Sequence, residues 1–359
     1  MLARPRKSLL NKGLSRPETF RAVPREPGLI WLDKNENTDV LQLELISSVC
    51  SDIDPIILST YPEPSEAYNK LSHWLDVAPE SIVFTPGSDG AIRMTFEVFI
   101  EPGDLVVHTS PTFAMYPVYS KMFGAKVHEL TYERTDFGPK LTSQDIISAV
   151  KKIRPKLLCL PNPDSPTGSV LEENEIIKIL KACEDSGTLF LLDEAYHPFY
   201  NWSAVSMTKN SRNIIVARTF AKAWGAAGLR VGYAVAHPDT ISYLHKMRPM
   251  YEVSSFAIEF VAKVLNYTNE MERSVERIMQ GKSFFVASLR GLGFSVIDTH
   301  ANFIHVDFAM HSKAIHQSLD GKVLYRGSTD HPSLSGYSRF TVAPKSVMEE
   351  VVLLIKSVI

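Results

Sequence analysis

Five short runs dominated by apolar residues constrain the fold of this chain more than any other feature of its sequence. They lie between residues 81 and 236, and segments with a helix-like pattern separate them. A strand with one face in water alternates polar and apolar residues, whereas these runs are almost continuously apolar, which indicates strands covered on both faces. The runs are Ser81–Phe84, Leu105–Val107, Lys156–Leu160, Leu189–Leu192 and Ile214–Val216. They predict an α/β domain whose central sheet is mostly parallel.

The pattern changes after about Tyr251, where longer helical and alternating segments predict a smaller α+β domain. The elements predicted there are a helix over 261–289, strands around 303–306 and 339–342, and a last helix over 347–358. The predicted parts of the chain are an N-terminal arm that packs on the small domain (1–45), a large domain (46–250) and a small C-terminal domain (251–359).

Composition excludes several classes of partner. The net charge of −2 gives no electrostatic reason to expect nucleic acid, and no apolar run approaches the roughly 18 residues of a membrane span. The basic N-terminus lacks the apolar stretch of a secretory signal. Cys50, Cys159 and Cys183 are too widely spaced for a metal cluster or a disulfide framework, so we expect a reducing, cytoplasmic compartment and no metal site.

Four unusual segments follow predicted strands, at the sheet edge where α/β proteins bind ligands. The first, Thr85–Gly90, contains two glycines directly before a helical run, which suits a phosphate cradle or an ordinary helix cap. The second, Asn162–Gly168, has the composition of a proline-rich turn.

The other two segments carry charge. Asp193, in Asp193–Tyr196, follows a buried run, where a carboxylate needs a cationic partner or caps the next helix. Lys222, in Arg218–Gly225, lies among small and apolar residues, which make a lysine easier to deprotonate than an exposed one.

In this order, the four segments resemble the fold type I aminotransferases of class I and II, and especially the histidinol-phosphate aminotransferases and their relatives. The resemblance runs from Asp33–Asn37, similar to the family's Asn-Glu-Asn segment, to Pro332–Val342. It implies a large domain with a mostly parallel sheet, a smaller α+β C-terminal domain, and pyridoxal 5′-phosphate as the cofactor.

The resemblance implies three catalytic residues. Lys222 would form the Schiff base with the cofactor aldehyde and then carry the proton between the substrate α-carbon and the cofactor. Asp193 would pair with the pyridine nitrogen, and Tyr196 would bond the phenolic oxygen of the ring.

Further residues are implied to hold the cofactor or the substrate. Those implied to contact the cofactor phosphate are Gly87, Ser88, Asp89, Thr219, Arg230 and Tyr61, the last across a homodimer interface. Phe113 would stack on the pyridine ring. Arg339 would clamp the substrate α-carboxylate with Asn35 nearby, and Arg326 would meet the distal group of the substrate.

Three departures from the family pattern bear on these roles. Ser165 stands where the family has an asparagine that bonds the phenolic oxygen, and Asn162 is the residue that could compensate. Ala221 replaces a serine that offers the phosphate a hydroxyl. Pro17–Phe20 places a glutamate where the family has a tyrosine near the substrate phosphate, so the substrate is expected to differ from histidinol phosphate.

Three functions are compatible with this pattern. The first is an aminotransferase that acts on an amino acid or amino alcohol, with or without a phosphate, and on a 2-oxo acid. The second is a decarboxylase similar to the threonine-phosphate decarboxylases, because the bond held perpendicular to the cofactor ring is the one that breaks. The third is a noncatalytic binding protein, against which the five residues Lys222, Asp193, Tyr196, Arg230 and Arg339 argue.

Overall fold

The five apolar runs form strands of a seven-stranded sheet, four of them inner strands and one, the first run, an edge strand. The computed structural model describes residues 4–11, 13–14, 25–328 and 330–359. The strands are β1 (Ile30–Trp31), β2 (Ile82–Thr85), β3 (Leu105–Ser110), β4 (Lys126–Thr131), β5 (Glu133–Thr135), β6 (Gly138–Lys140), β7 (Leu157–Pro161), β8 (Leu189–Asp193), β9 (Ile214–Thr219), β10 (Gly232–Ala236), β11 (Ser295–Asp298), β12 (Phe303–Asp307), β13 (Val323–Leu324) and β14 (Ser338–Thr341). The α-helices are α1 (Val40–Ser51), α2 (Ser65–Leu75), α3 (Gly87–Phe99), α4 (Met115–Phe123), α5 (Ser143–Ile153), α6 (Glu173–Ser186), α7 (Pro238–Met247), α8 (Ser255–Val264), α9 (Thr268–Gly291), α10 (Ser312–Leu319) and α11 (Lys345–Lys356).

The main sheet has the strand order β2-β10-β9-β8-β7-β3-β4, and β10 alone among its strands runs antiparallel to its neighbours. The predicted α/β class with a mostly parallel sheet is therefore confirmed. In register, Pro161 lies opposite Asp193, and Asp193 lies opposite Ala217. The carboxyl ends of β7, β8 and β9 thus meet at one edge, which brings the segments that follow them together.

Apolar side chains cover both faces of this sheet, which explains why its strands lack alternation. Leu158 and Leu160 of β7 pack into one buried cluster, whereas Leu157 and Cys159 pack into a second cluster on the opposite face. Cys159 is fully buried, as the apolar run predicted. Burial of each such side chain stabilises the fold by about 1.5–3 kcal/mol before entropy is counted.

Helices α5 and α6 cover one face, and local sequence sets their ends. Thr142 and Asp145 form a capping box at the start of α5, so two backbone N–H groups find partners. Helix α6 ends where Gly187 adopts a left-handed conformation with φ +68°.

The C-terminal part contains the antiparallel sheet β11-β12-β14, with α9 and α11 packed together. The single helix predicted over 261–289 is wrong: α8 ends at Val264 and α9 begins at Thr268, with a 3-10 turn between them. This turn, Leu265–Tyr267, contains asparagine and tyrosine, which are weaker helix formers than the residues on either side.

Residues from the two ends of the chain meet beside this smaller sheet. Strand β1 pairs in parallel with β13, and the backbone N–H of Thr341 donates to the carbonyl of Leu32 at 2.9 Å. The segment Asp33–Asn35 therefore lies against the end of β14. Within the part of the chain that the structure describes, no helix combines the length and apolar character needed to cross a bilayer.

Candidate active site

A cavity of about 390 Å³ opens where the carboxyl ends of β7, β8 and β9 meet. Residues from all four segments singled out in the sequence line it, together with the ring of Phe113. The predicted site residues on its wall are Ser88, Asp89, Phe113, Ser165, Asp193, Tyr196, Thr219, Lys222 and Arg230. Two further residues on the wall, Lys34 and Glu36, come from the N-terminal segment beside β14.

One end of the cavity has the features of an anion site. Helix α3 begins at Gly87, so its first backbone N–H groups are unpaired donors near the wall. Gly87 has φ +76°, and a Cβ there would lie 2.9 Å from Nη2 of Arg230. A glycine at this position therefore lets the Arg230 guanidinium approach the N-terminus of α3. The guanidinium and the backbone N–H groups of the helix together suit a phosphate.

Asp193 is a buried carboxylate that forms no salt bridge with any of the described residues. It is 5% exposed at the end of β8, and it accepts hydrogen bonds from the backbone N–H of Ala195 at 3.0 Å and the Tyr116 hydroxyl at 3.5 Å. Burial, with added repulsion from Asp89, raises the pKa of Asp193 to about 7. Since a buried carboxylate is costly unless paired, a protonated pyridine nitrogen is a partner that fits this position.

Lys222 follows β9 and reaches into the same cavity. Its Nζ donates to the carbonyl of Lys34 at 2.6 Å and lies 6.0 Å from the ring centre of Tyr196. Burial, with repulsion from the Arg339 guanidinium, lowers the pKa of Lys222 to about 8, although the Glu36 carboxylate opposes this change. At pH 7 about a tenth of this lysine is therefore the neutral amine that nucleophilic and proton-transfer chemistry requires, far more than for an exposed lysine.

The Tyr196 hydroxyl lies at the floor of the cavity. It accepts a hydrogen bond from Nδ2 of Asn35 at 2.7 Å and also forms a hydrogen bond with the Ser165 side chain. Burial raises the pKa of Tyr196, and the positive charge of Arg339 acts in the opposite direction. Ser165 and Asn35 thus both form hydrogen bonds with the Tyr196 hydroxyl.

Arg339 and Arg326 lie side by side, and the charge of Arg339 acts on the Tyr196 hydroxyl. Both donate to one main-chain carbonyl, that of Asp33, from Nη2 of Arg339 at 2.9 Å and from Nε of Arg326 at 3.1 Å. Their backbones also exchange two hydrogen bonds, so the two guanidinium groups are fixed relative to each other. Nε of Arg339 is buried without a hydrogen-bond partner, which leaves a donor for an anionic ligand.

Three residues predicted to contact the cofactor are not on the wall of this cavity: Gly87, which directly precedes Ser88 on the wall, and Asn162 and Tyr61. Both polar atoms of the Asn162 amide bond the backbone of Leu171, at 2.8 and 3.2 Å, so the amide is occupied in holding its own loop. Tyr61 is 73% exposed and stacks on Tyr251 with ring centres 4.2 Å apart. Pro17–Phe20, the third departure from the family pattern, lies outside the described residues.

Two groups at the site were missed in the sequence. Thr341 bonds Asn35, and its position two residues after Arg339 on one strand places both side chains on the same face, which is a usable signal. Arg25 donates to both Asp33 and Glu36 at 2.6 Å and lies 4.8 Å from the ring centre of Trp31. No local pattern marks Arg25, because it comes from a segment without periodicity.

The fold defines the class of protein. Histidinol-phosphate aminotransferase from Sinorhizobium meliloti, solved in complex with pyridoxal-5′-phosphate, aligns with a TM-score of 0.78 over 92% of each chain, at 22% identity. L-threonine-O-3-phosphate decarboxylase from Porphyromonas gingivalis aligns with a TM-score of 0.77 over 92% of this chain and 99% of that one, at 19% identity. The architecture is that of the fold type I pyridoxal-phosphate enzymes.

Sequence similarity identifies the family within that class. The family model for aminotransferase class I and II matches residues 56–355. Histidinol-phosphate aminotransferase from Thermoanaerobacter pseudethanolicus is 34% identical over 315 residues, which are 87% of this chain and 88% of that protein. The chain belongs to the class I and II aminotransferases, and its cofactor is pyridoxal phosphate.

Proposed function

We propose that this aminotransferase moves an amino group between a 2-oxo acid and a phosphorylated amino acid or amino alcohol, the class to which histidinol phosphate belongs. The observation that carries the proposal is the pair Arg339 and Arg326, held side by side on the carbonyl of Asp33. Two adjacent guanidinium groups suit either one phosphate that both contact, or an α-carboxylate together with a distal phosphate on the same molecule. The naming of its relatives agrees with this substrate class.

The proposed cofactor contacts follow from the geometry of the cavity. The N–H groups of Gly87, Ser88 and Asp89 hold the phosphate at the start of α3. The side chains that complete this site are those of Arg230 and Thr219. Asp193 pairs with the ring nitrogen, which supplies the cation that its buried carboxylate lacks.

Two more contacts concern the ring itself. Phe113 stacks on one face of the pyridine, and this agrees with the position of its ring on the cavity wall. Ser165 and Tyr196 bond the phenolic oxygen from the side of the cavity that they share. In this proposal Asn162 supports the loop that carries Ser165 and does not contact the cofactor.

The catalytic roles are then divided among three residues. Bound pyridoxal phosphate supplies an electron-accepting ring that weakens the bonds to the substrate α-carbon. Lys222 accepts the proton of the substrate α-carbon on Nζ and later releases it again. Its lowered pKa allows this, because the neutral amine can accept a proton near neutral pH. Arg339 holds the α-carboxylate, and Tyr196 donates to the phenolic oxygen.

The proposal extends to the assembly and to the division of the chain. Tyr61 is exposed outside the cavity of its own chain, and the nearby side chains of Ile56 and Leu58 are exposed as well. Exposed apolar groups of this kind mark interaction surfaces. We infer a cytoplasmic homodimer in which Tyr61 reaches the phosphate of the partner subunit, with each chain divided into an arm (1–45), a large domain (46–250) and a small domain (251–359).

A test of the reaction uses purified protein loaded with the cofactor and a panel of amino acids and phosphorylated amines. The visible spectrum and carbon dioxide release are followed together. Conversion to the pyridoxamine form with a keto product and no carbon dioxide supports the proposal. Carbon dioxide release with recovery of the starting spectrum would instead make the protein a decarboxylase, in which Arg339 holds the carboxylate perpendicular to the ring.

Variants assign the roles within that test. Lys222→Ala is expected to abolish both the lysine-dependent visible band and turnover, since the amine proposed to react with the cofactor aldehyde is then absent. Asp193→Ala is expected to retain some cofactor but lose most of the rate. Full activity of either variant would refute the role given to that residue.

A further inference from the structure

A small cluster of buried polar groups contacts Tyr196, one of the residues on the cavity wall. It contains the side chains of Asn35, Thr341 and Asn302, which are all at most 2% exposed. Buried polar groups of this kind need hydrogen-bond partners, so their protons can be assigned by counting donors and acceptors.

The count begins at Thr341, whose hydroxyl has a single proton. Its Oγ1 accepts a hydrogen bond from the backbone N–H of Asn35 at 2.9 Å and lies 3.1 Å from Oδ1 of the same residue. Since the backbone nitrogen can only donate, the Thr341 proton goes to Oδ1. That contact fixes which end of the Asn35 amide is oxygen.

The orientation of the amide then determines the role of the Tyr196 oxygen. Nδ2 of Asn35 lies 2.7 Å from the Tyr196 hydroxyl oxygen, and an amide nitrogen can only donate. The Tyr196 oxygen is therefore an acceptor on this side. Its own proton must go to another group, and the neighbours available are Ser165 and whatever occupies the cavity.

The backbone of Asn35 is also held in place. It has φ +55°, a left-handed conformation that asparagine tolerates better than most residues, and its carbonyl accepts from Nδ2 of Asn302 at 3.1 Å. A rotation of the Asn35 side chain would break its hydrogen bonds with both Thr341 and Tyr196. One N–H of the Asn35 amide is thus committed to the tyrosine.

We propose that Thr341 and Asn35 form a hydrogen-bond relay that aims the Tyr196 hydroxyl proton into the cavity, toward the phenolic oxygen of the cofactor. Both are positioning residues that act through Tyr196, and the inference rests on the role of Tyr196 in the proposed function. Ser165, which lies on the cavity side of the same hydroxyl, completes the relay at its open end.

The first test uses the protein without cofactor, so it does not depend on the proposed reaction. Tyrosine is labelled with carbon-13 at the ring carbon that bears the hydroxyl, and Tyr196→Phe assigns the resonance of Tyr196. In Thr341→Val and in Asn35→Ala, that resonance is expected to move, because the hydroxyl loses a fixed donor. Thr341→Ser keeps the hydroxyl and is expected to leave the resonance in place.

The second test follows the cofactor-loaded protein through a pH titration of its visible band. If Tyr196 no longer donates to the phenolic oxygen, that oxygen becomes more basic, so the spectral transition is expected to move to higher pH in Thr341→Val and Asn35→Ala. Cofactor affinity is expected to fall about 5- to 10-fold, equivalent to one lost hydrogen bond, and Thr341→Ser is expected to restore both properties.

Two outcomes of these tests would overturn the proposed relay. The relay is overturned if the Tyr196 resonance and the spectral transition are the same in the parent, Thr341→Val and Asn35→Ala. It is also overturned if Thr341→Ser behaves like Thr341→Val, because the effect would then come from packing. Failure of the reaction itself would be seen separately, as a protein that loads the cofactor and shows a normal relay but transfers no amino group.

Discussion

At the scale of single residues, the charges around Lys222 determine when its amine is available. Burial and the Arg339 guanidinium lower its pKa from 10.5 to about 8. The rate of Schiff-base formation with added pyridoxal phosphate is therefore expected to rise about tenfold per pH unit below 8 and to level off above it. Stopped-flow absorbance between pH 6 and 9.5 measures this profile, and a flat profile would contradict the lowered pKa.

The same change in pKa has a consequence for stability that carries a definite sign. Between about pH 8 and 10.5 the unfolded chain binds more protons at Lys222 than the folded protein does. The contribution of this group to the free energy of unfolding therefore becomes more favourable as pH rises through that window. Comparison with Lys222→Met, which has no titratable group there, isolates the contribution in the cofactor-free protein.

Arg25 is the residue that balances these charges. It pairs with Glu36, whose negative charge raises the pKa of Lys222, and with Asp33, whose carbonyl accepts from Arg339 and Arg326. Arg25→Ala is expected to leave Glu36 unpaired, so the inflection in the rate of Schiff-base formation should move to higher pH. Glu36→Gln is expected to move it to lower pH, and the double variant should resemble Glu36→Gln; an unchanged inflection in Arg25→Ala would show that the pair has no such effect.

The sequence could identify residues that carry chemistry on their own side chains. Lys222, Asp193 and Tyr196 were found because each follows an apolar run that predicts a strand, and the edge of a parallel sheet brings such positions together. It could not identify the carbonyl of Asp33, since any residue has a carbonyl and its two arginine partners are about 300 positions away. The sequence also could not show that the Asn162 side chain turns toward the backbone of its own loop.

At the scale of elements, the loop between β7 and α6 is wedged against the smaller sheet, and Gly168 allows this. Gly168 has φ +73°, and a Cβ there would lie 2.2 Å from Cβ of Thr299. Gly168→Ala is expected to lower the free energy of unfolding by about 2–4 kcal/mol through overpacking and backbone strain. It is also expected to displace Ser165 and weaken cofactor binding.

A matched control for this loop exists at the end of α6. Gly187 has a similar φ of +68°, but a Cβ there would meet nothing within 4 Å. Gly187→Ala is therefore expected to cost only the backbone strain, about 1–2 kcal/mol, without any change in cofactor affinity. Urea unfolding of both variants measures the difference, and equal losses would mean that the contact with Thr299 has little energetic weight.

Among elements, the buried strands were predictable and the exceptions have physical reasons. Apolar runs marked β2, β3, β7, β8 and β9 to within a few residues. The edge strand β4 is mostly exposed and carries Lys126 and Glu129, so its pattern is not that of a buried strand. The division between α8 and α9 was missed because an apolar helical pattern continues on both sides of the short turn between them.

At the scale of the whole molecule, the proposed dimer predicts that two defective chains can complement each other. In a mixed dimer of Tyr61→Ala and Lys222→Ala, one site has Lys222 from the first chain and Tyr61 from the second. That site is intact. When the two variants are mixed under exchange conditions, half of the dimers are mixed and about a quarter of all sites are intact, so activity is expected to return to about a quarter of the parent level. Analytical ultracentrifugation verifies the dimer, and mixtures that are no more active than their components would exclude the exchange of Tyr61.

The order of the segments along the chain has a consequence for protein synthesis. All seven strands of the main sheet lie between residues 82 and 236, and so do Gly87, Asp193, Lys222 and Arg230. The partner that fixes Asn35, in contrast, is Thr341 at the end of β14. At roughly 5–20 residues per second, a ribosome makes the roughly 100 residues between these points in about 5–20 s. During that interval the nascent chain already contains Gly87, Asp193, Lys222 and Arg230, which we propose hold the cofactor, while β14, which carries Arg339, has not yet been made.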